Sequence, residues 1–118
     1  LPLDADRSPI ATALQLIVLA ARANGIAAFD GVFNRLDDAD GFASEAKDGR
    51  ALGFDGKSLI HPDQIDACNR AFAPGADEIA RARALVAAFG GGAERFNGEM
   101  IEAMHVAAAQ RVLDRAKD

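Results

Sequence analysis

The sequence predicts an α/β fold in which parallel strands are connected by helices. Two short apolar segments, residues 26–29 and 56–60, are each too short for a helix and are predicted to be buried strands. A helical pattern precedes the first segment and another separates the two, an alternation typical of parallel strands with right-handed crossovers. Two such strands cannot close a core alone, and a complete parallel barrel needs roughly 250 residues. The 118 residues therefore predict the C-terminal part of a (β/α)8 TIM barrel, about two strands with their helices.

Start and stop residues define the first two helices. Ser8 followed by proline predicts the first start, with the serine side chain as the cap, and Gly25 predicts the end. A second helix over residues 41–52 follows three aspartates that can cap it, and Gly53 ends it. Those aspartates are Asp37, Asp38 and Asp40.

Three further helices are predicted after the second strand. Residues 63–71 form the first of them, with Ile65 and Phe72 on its inner face. Asp77 and Glu78 open the next helix, where they complement its dipole. The apolar face of this helix comprises Ile79, Ala82, Leu85, Val86 and Phe89, and that of the last helix Ile101, Met104, Ala108 and Val112. A Gly90-Gly91-Gly92 hinge separates these two helices. We expect residues 1–75 to hold the last barrel units and residues 76–118 a helical extension.

Composition limits the classes of function. Half of the residues are hydrophobic and 26% are charged, as in a folded globular domain, and the net charge of -5 argues against a nucleic-acid partner. The single cysteine forms no intrachain disulfide and favours the reducing cytoplasm. The longest apolar stretch is too short to span a bilayer, which predicts no membrane association. The chain does not begin with methionine, as expected of a piece of a longer protein.

Asp30 and His61 are the candidate site residues that the strand pattern supplies. Each directly follows a predicted strand, and the C-terminal ends of parallel barrel strands carry the active site. Each residue alone also has a plain structural interpretation, a turn at Asp30-Gly31 and a helix cap at His61. The occurrence of both at one rim favours a functional role for the pair.

Other motifs have structural interpretations. The glycine triplet has no Lys-Ser or Lys-Thr pair after it, so it is not predicted to be a phosphate loop. The aspartates before the second helix lack the later glutamate of a calcium loop. Cys68 is predicted to pack in a helix and His105 to lie at a surface or interface.

Residues 53–65 resemble the last barrel strand of the citrate lyase β-subunit and malyl-CoA lyase family. They contain the Gly-Lys, Ile-His-Pro and Gln-Ile pairs and triplets that recur there. Three further groups of residues resemble family segments in the same order and spacing: 20–26 with 29–32, 72–74 with 77–79, and 98–102. The resemblance covers nearly the whole chain from Ser8 onward.

The resemblance implies a carbon–carbon lyase that acts on a short hydroxyacyl-CoA of the citrate, malyl or citramalyl type. It implies a barrel with a C-terminal helical lid, assembled as a homotrimer or hexamer with lid contacts between subunits. Mg²⁺ is the implied cofactor and a coenzyme A thioester the implied substrate. The magnesium ligands of the family lie on earlier strands, so no metal ligand is assigned to this chain, and the chain is expected to be inactive by itself.

The resemblance also assigns site residues. Asp30, Ile60, His61 and Pro62 are implied along the substrate-facing rim. Glu102 stands where relatives have a lid aspartate that reaches a neighbouring active site as acid or base. Glu99 and Met104 also depart from the family pattern. The alternative is a truncated or degenerate relative that acts as an oligomerisation or regulatory module.

Overall fold

The computed structural model describes residues 6–89 and 94–116, which form two units divided between Phe72 and Ala73. The first unit contains α1 (Ala11–Ala23), β1 (Phe29–Asp30), α2 (Ala39–Leu52), β2 (Gly56–Lys57) and α3 (Ile65–Phe72), with 3₁₀ turns at Ser8–Ile10 and Pro62–Gln64. The second contains α4 (Ala76–Ala88), β3 (Glu94–Phe96), β4 (Glu99–Ile101) and α5 (Ala103–Ala116). The fold is α/β and mostly helical. Among the described residues, no helix has the length and apolar character needed to cross a membrane.

The two strands of the first unit are parallel, as predicted, but shorter than predicted. Phe29 lies opposite Gly56 and Asp30 opposite Lys57. Before β1, the backbone N–H of Ala28 donates to the Asp55 side chain, and after β2 the chain turns away toward a side-chain contact at Ile60. Backbone hydrogen bonds from the Asp55 N–H to the Ala28 carbonyl at 2.8 Å and from the Ser58 N–H to the Asp30 carbonyl at 2.9 Å flank the paired residues.

The predicted ends of the first two helices are confirmed, whereas the predicted start of the first is wrong. Asp38 caps α2 by accepting from the backbone N–H of Gly41 at 2.9 Å. Gly25 and Gly53 adopt positive φ values of 65° and 106°, which glycine tolerates at helix ends. The Ser8 side chain does not cap the helix, because its hydroxyl donates to the Asp6 side chain. Ser8 is itself the first residue of the 3₁₀ turn Ser8–Ile10. The α-helix begins three residues later, at Ala11.

The core of the first unit lies between α1, α2, α3 and the strand pair. Its buried apolar residues are Val18, Ala21, Ala28, Phe42, Ala46, Phe54, Cys68 and Phe72. The prediction that both strands are buried is wrong for Phe29, which is 66% exposed because alternate strand residues face opposite sides. Ile65 was predicted on the inner face and is exposed, because the buried positions are Gln64, Cys68 and Phe72, four residues apart.

The second unit packs α4 against α5 and a β-hairpin that pattern analysis did not predict. β3 and β4 are antiparallel, and Asn97 and Gly98 between them both have positive φ. Asn-Gly is the strongest short-range hairpin signal, so the sequence did contain this information.

The apolar face predicted for α4 is confirmed, and that of the last helix is partly wrong. Ala82 and Leu85 are buried with Ile101 and Ala109. Ile101 belongs to β4, while Met104 and Ala108 are exposed. The face of α5 that meets this core carries Val106, Ala109, Val112 and Leu113. The predicted hinge at Gly90-Gly91-Gly92 lies outside the described residues.

Candidate functional site

Asp30 lies at the C-terminal end of β1 with its side chain 1% exposed. Its Oδ1 accepts from Arg7 Nη1 at 2.7 Å and from the Gly31 backbone N–H at 2.9 Å. Its Oδ2 lies 3.4 Å from Lys57 Nζ. Both carboxylate oxygens are therefore engaged by cationic or amide donors inside the protein.

Lys57 lies opposite Asp30 at the end of β2, with its side chain fully buried. Its ammonium donates to Glu45 Oε2 at 2.6 Å, to the Gly31 carbonyl at 2.7 Å and to Asp30 Oδ2 at 3.4 Å. An ammonium has three N–H donors, and three acceptors surround this one. Lys57 thus connects both strand ends to α2.

Arg7, just before the 3₁₀ turn that leads into α1, closes the cluster from the other side. Besides Asp30 it contacts Glu45 Oε1 at 3.3 Å and Asp48 Oδ2 at 3.1 Å. Burial disfavours its charge, but the hydrogen bonds and charges of Asp30, Glu45 and Asp48 together outweigh burial and raise the pKa of Arg7. We call Arg7, Asp30, Glu45, Asp48 and Lys57 the charged cluster.

A glycine on α2 makes room for the charged cluster. A Cβ atom placed on Gly49 would stand 2.4 Å from Asp30 Oδ2. Gly49 is buried and helical, so its role is to allow close approach of the carboxylate to the α2 backbone.

A cleft of about 510 Å³ opens beside the charged cluster within the first unit. Arg7, Glu45 and Asp48 line one part of it, and the apolar Leu14, Phe33 and Leu52 another. Every cation of the cluster is matched by carboxylates, so the cleft offers no unpaired positive charge from Arg7 or Lys57 to an anionic ligand.

The segment after β2 forms an exposed rim above the buried strand ends. The Ser58 N–H donates to the Asp30 carbonyl at 2.9 Å, so this segment starts directly beside β1. Ile60 is 48% exposed, the His61 side chain is 42% exposed and Pro62 is exposed. His61 Nδ1 accepts from the Asp63 N–H at 3.1 Å and caps the following turn, in agreement with its plain structural interpretation. We call residues 60–62 the rim segment.

The predicted site residues of the first unit therefore differ in exposure. Ile60, His61 and Pro62 are partly or fully exposed, whereas Asp30 is enclosed by Arg7 and Lys57. Their proposed contacts with substrate stay predictions.

Glu102 lies in the second unit, between β4 and α5, with its side chain exposed. Its backbone N–H donates to His105 Nδ1 at 2.8 Å, and its carbonyl accepts from the His105 N–H at 2.9 Å. His105 therefore fixes the start of α5, a capping role that its position in the sequence did not reveal. The Glu102 carboxylate is presented at a helix N-terminus, where negative charge is favoured.

The described carboxylates do not fit a magnesium ion. In the described part of the chain, no group of three or more His, Cys, Asp or Glu side chains could hold a metal. Asp30 and Glu45 already contact Arg7 and Lys57, whose charges would repel a divalent cation. Cys68 is buried as predicted, and burial raises the pKa of its thiol, which suits packing rather than reactivity.

Arg7, Glu45, Lys57 and Gln64 were not assigned to the site from sequence. Lys57 and Gln64 belong to the Gly-Lys and Gln-Ile pairs of the family resemblance. A lysine within a predicted strand and a glutamine at the start of a predicted helix could have indicated site residues. Arg7 and Glu45 are far from the strands in sequence, and only the fold brings them there.

Comparisons with known proteins agree on one family. Residues 3–62 match the HpcH/HpaI aldolase/citrate lyase family model. A (3S)-malyl-CoA thioesterase of Cereibacter sphaeroides is 41% identical over 95% of this chain, and a citrate lyase subunit beta of Leuconostoc mesenteroides is 44% identical over 94%. The crystal structure of CitE from Mycobacterium tuberculosis in complex with magnesium, acetoacetate and coenzyme A matches 97% of this chain, with a TM-score of 0.83 and 35% identity. This chain spans 41%, 39% and 43% of those three proteins, respectively.

Proposed function

Because the chain belongs to the HpcH/HpaI aldolase/citrate lyase family, we propose that it is the C-terminal part of a carbon–carbon lyase. The substrate is a short hydroxyacyl-CoA of the citrate, malyl or citramalyl type. The reaction breaks the bond between the hydroxyl-bearing carbon and the carbon next to the thioester. The hydroxyl loses its proton and becomes a carbonyl, while the other fragment leaves as a thioester enolate that then takes up a proton.

The observation that carries this proposal is the similarity to CitE. Its structure holds magnesium, acetoacetate and coenzyme A, and it matches nearly all of this chain at 35% identity. A match of that quality through both units supports a common site architecture, with coenzyme A thioesters as the ligand class.

Exposed apolar side chains support the part of the proposal that concerns a larger barrel. Phe29 on β1 is 66% exposed, and Leu16, Ile17 and Leu19 on α1 are between 53% and 61% exposed. Such a density of large exposed apolar groups indicates a surface that another segment covers. We propose that further barrel strands and helices of a longer polypeptide cover it, so residues 1–75 complete the barrel and residues 76–118 form the lid.

The residues of this chain have separate roles in the proposed reaction. Ile60, His61 and Pro62 line the substrate-facing rim, and Asp30, paired with Arg7 and Lys57, fixes the end of β1 beside the segment that leads to it. Glu102 transfers the proton in the active site of a neighbouring subunit, within a homotrimer or hexamer in the cytoplasm. Its exposure and its position at the start of α5 suit a group offered to a partner.

Magnesium is proposed for the longer polypeptide and not for this chain. The ion would supply positive charge for the developing enolate oxygen. Because the carboxylates of the charged cluster are already paired, we assign its ligands to residues outside this chain.

Thioester hydrolysis is the second candidate reaction. It is favoured by the (3S)-malyl-CoA thioesterases that match at 39% to 41% identity. The two candidates differ in their products, since a lyase keeps the thioester as acetyl-CoA and releases a carbonyl acid, whereas a thioesterase releases the free thiol of coenzyme A.

The test is a product assay on the natural polypeptide that contains this segment, supplied with Mg²⁺ and with malyl-, citramalyl- or citryl-CoA. Phenylhydrazine traps the carbonyl product, and a thiol-reactive disulfide reports free coenzyme A. We expect carbonyl product and acetyl-CoA in equal amounts without free thiol. Free thiol without carbonyl would establish the thioesterase, and the absence of both products would contradict the enzyme proposal in favour of a non-catalytic relative.

A further inference from the structure

Gln64 connects the loops that follow the two parallel strands. It ends the 3₁₀ turn Pro62–Gln64 and is 7% exposed. Its Oε1 accepts from the backbone N–H of Ile60 at 3.1 Å, and its Nε2 donates to the backbone carbonyl of Phe33 at 3.1 Å. One side chain thus joins the rim segment after β2 to the loop after β1.

The two contacts require both halves of a carboxamide. Ile60 presents a donor and Phe33 an acceptor, so the bridging group must accept at one atom and donate at another. A leucine offers neither function, and an ionised glutamate only accepts. A protonated glutamate has a carbonyl oxygen and an O–H in nearly the same positions as the amide, so it alone among common substitutions can restore both contacts.

The Gln64 side chain holds the backbone of Ile60, which lies between two residues that other contacts fix. Ser58 is bound to the Asp30 carbonyl, and His61 is engaged with the turn at Asp63. Ile60 lies between Ser58 and His61 in the chain and is exposed. The Gln64 contact to its backbone sets how far the rim segment stands from the loop after β1.

We infer that Gln64 is a positioning residue that holds the rim segment in register with the loop after β1 for the thioester substrate. This inference rests on the proposed function, because it takes residues 60–62 as substrate-facing. Gln64 itself is buried and acts through the Ile60 backbone. Displacement of a positioning segment by about an ångström can cost on the order of a hundredfold in rate.

The experiment compares Gln64→Leu and Gln64→Glu in the natural polypeptide with a matched control, Gln15→Leu. Gln15 Nε2 also donates to a backbone carbonyl, that of Leu52, at 3.4 Å, but on the exposed surface of the same unit. Amide hydrogen exchange at Ile60 measures the bridge directly, without any activity. Steady-state kinetics from about pH 5 to 8 measure its effect on the reaction, and circular dichroism checks that each variant is folded.

We expect faster exchange at Ile60 in Gln64→Leu and a ten- to hundredfold lower kcat/KM, mainly through kcat, with no such change in Gln15→Leu. For Gln64→Glu we expect kcat/KM to approach the wild-type value as the pH falls and the carboxyl becomes protonated. This pH-dependent recovery also tests the inference if Gln64→Leu does not fold.

Unchanged exchange at Ile60 would overturn the bridge, and so would a Gln64→Glu variant whose deficit does not depend on pH. Faster exchange with unchanged kinetics would overturn the positioning role while leaving the lyase proposal intact. A wild-type protein without activity on coenzyme A thioesters would refute the proposed function and with it the positioning role, while the exchange measurement would still show whether Gln64 fixes Ile60.

Discussion

The two units of this chain differ in where they place charged groups. The first unit buries Asp30, Lys57 and Gln64 and exposes large apolar side chains on α1 and β1. The side chains that the structure describes in the second unit include no buried charge, and its core is made of Ala82, Leu85, Ile101 and Ala109. The Arg81–Glu99 ion pair of the second unit lies at the surface.

This difference indicates different tasks. Buried charge costs free energy even when it is paired, and breaking one partner of a buried pair costs more. In the charged cluster, the contacts of Lys57 join the ends of both strands to α2. The exposed apolar side chains on α1 and β1 of the first unit fit the proposal that further barrel segments cover them. The second unit has the composition of an ordinary helical module, and its proposed contribution is a single exposed carboxylate, Glu102.

The largest expected effect concerns that carboxylate. Glu102→Gln keeps the size of the side chain and removes its proton-transfer capacity, so kcat should fall by about 10²- to 10⁴-fold. The matched control is Glu99→Gln at the start of β4, which removes only the surface pair with Arg81. The measurement is the kcat of both variants in the assembled natural polypeptide. Equal kcat values for the two variants would remove Glu102 from the mechanism.

Lys57→Met should produce the largest loss of stability. It leaves Glu45 without its 2.6 Å partner and Asp30 with Arg7 as its remaining cationic partner, so the free energy of unfolding should fall by about 3–5 kcal/mol. Arg81→Met breaks the exposed pair of the second unit and should cost about 0–1 kcal/mol. Urea unfolding of both variants tests the contrast between the units, and similar losses would show that the charged cluster has no special role.

Gly49→Ala should destabilise the first unit although alanine is the better helix former. The new Cβ would meet Asp30 Oδ2 at 2.4 Å, and overpacking of this kind costs about 1–3 kcal/mol. Gly75→Ala, before α4 in the second unit, meets nothing within 4 Å and serves as the control. Gly75 is the N-cap of α4, where alanine is less favourable than glycine, so thermal unfolding should show a larger fall in Tm for Gly49→Ala than for Gly75→Ala. An increase in Tm for Gly49→Ala would mean that Asp30 can move freely.

The smallest effect is a pH dependence at the start of α2. The hydrogen bond from the Gly41 N–H, followed by that from Arg35, lowers the pKa of Asp38. A lowered pKa in the folded state means that this contribution is present at neutral pH and is lost as the pH falls through the folded-state value. Asp38→Asn still caps the helix but does not titrate. Its urea midpoint should therefore fall less steeply below about pH 4 than that of the wild type. Parallel loss in both proteins would contradict the assignment.

The sequence predicted the elements that local chemistry controls. The helix ends at Gly25 and Gly53 and the helix cap at Asp38 depend on neighbouring residues in the sequence. The alternation of strands and helices predicted the parallel strand pair. Ser8 was misassigned because a cap pattern does not distinguish a 3₁₀ turn from an α-helix. Asn97-Gly98 indicates the hairpin, but Ile101 also fits the helical spacing of Met104, Ala108 and Val112. The helical interpretation of Ile101 therefore hid the strand.

The candidate site was less predictable than the fold. Asp30 could be found because it ends a strand, but its burial depends on Arg7, which is 23 residues away in sequence, and on Lys57, 27 residues away. Long-range ion pairs of this kind leave no periodic pattern. Gln64 belongs to a recognised motif, but its hydrogen bonds to Ile60 and Phe33 depend on how the fold brings the two loops together.

In the proposed enzyme, the exposed rim segment contacts the thioester, while the charged cluster holds the strand ends and stays out of contact with the ligand. A crystal structure of the natural polypeptide with a bound coenzyme A thioester can show this. We expect ligand atoms in contact with Ile60, His61 or Pro62, and Lys57 Nζ still bound to Glu45 and Asp30. A thioester bound away from the rim segment, or one that contacts Lys57 directly, would refute the proposal.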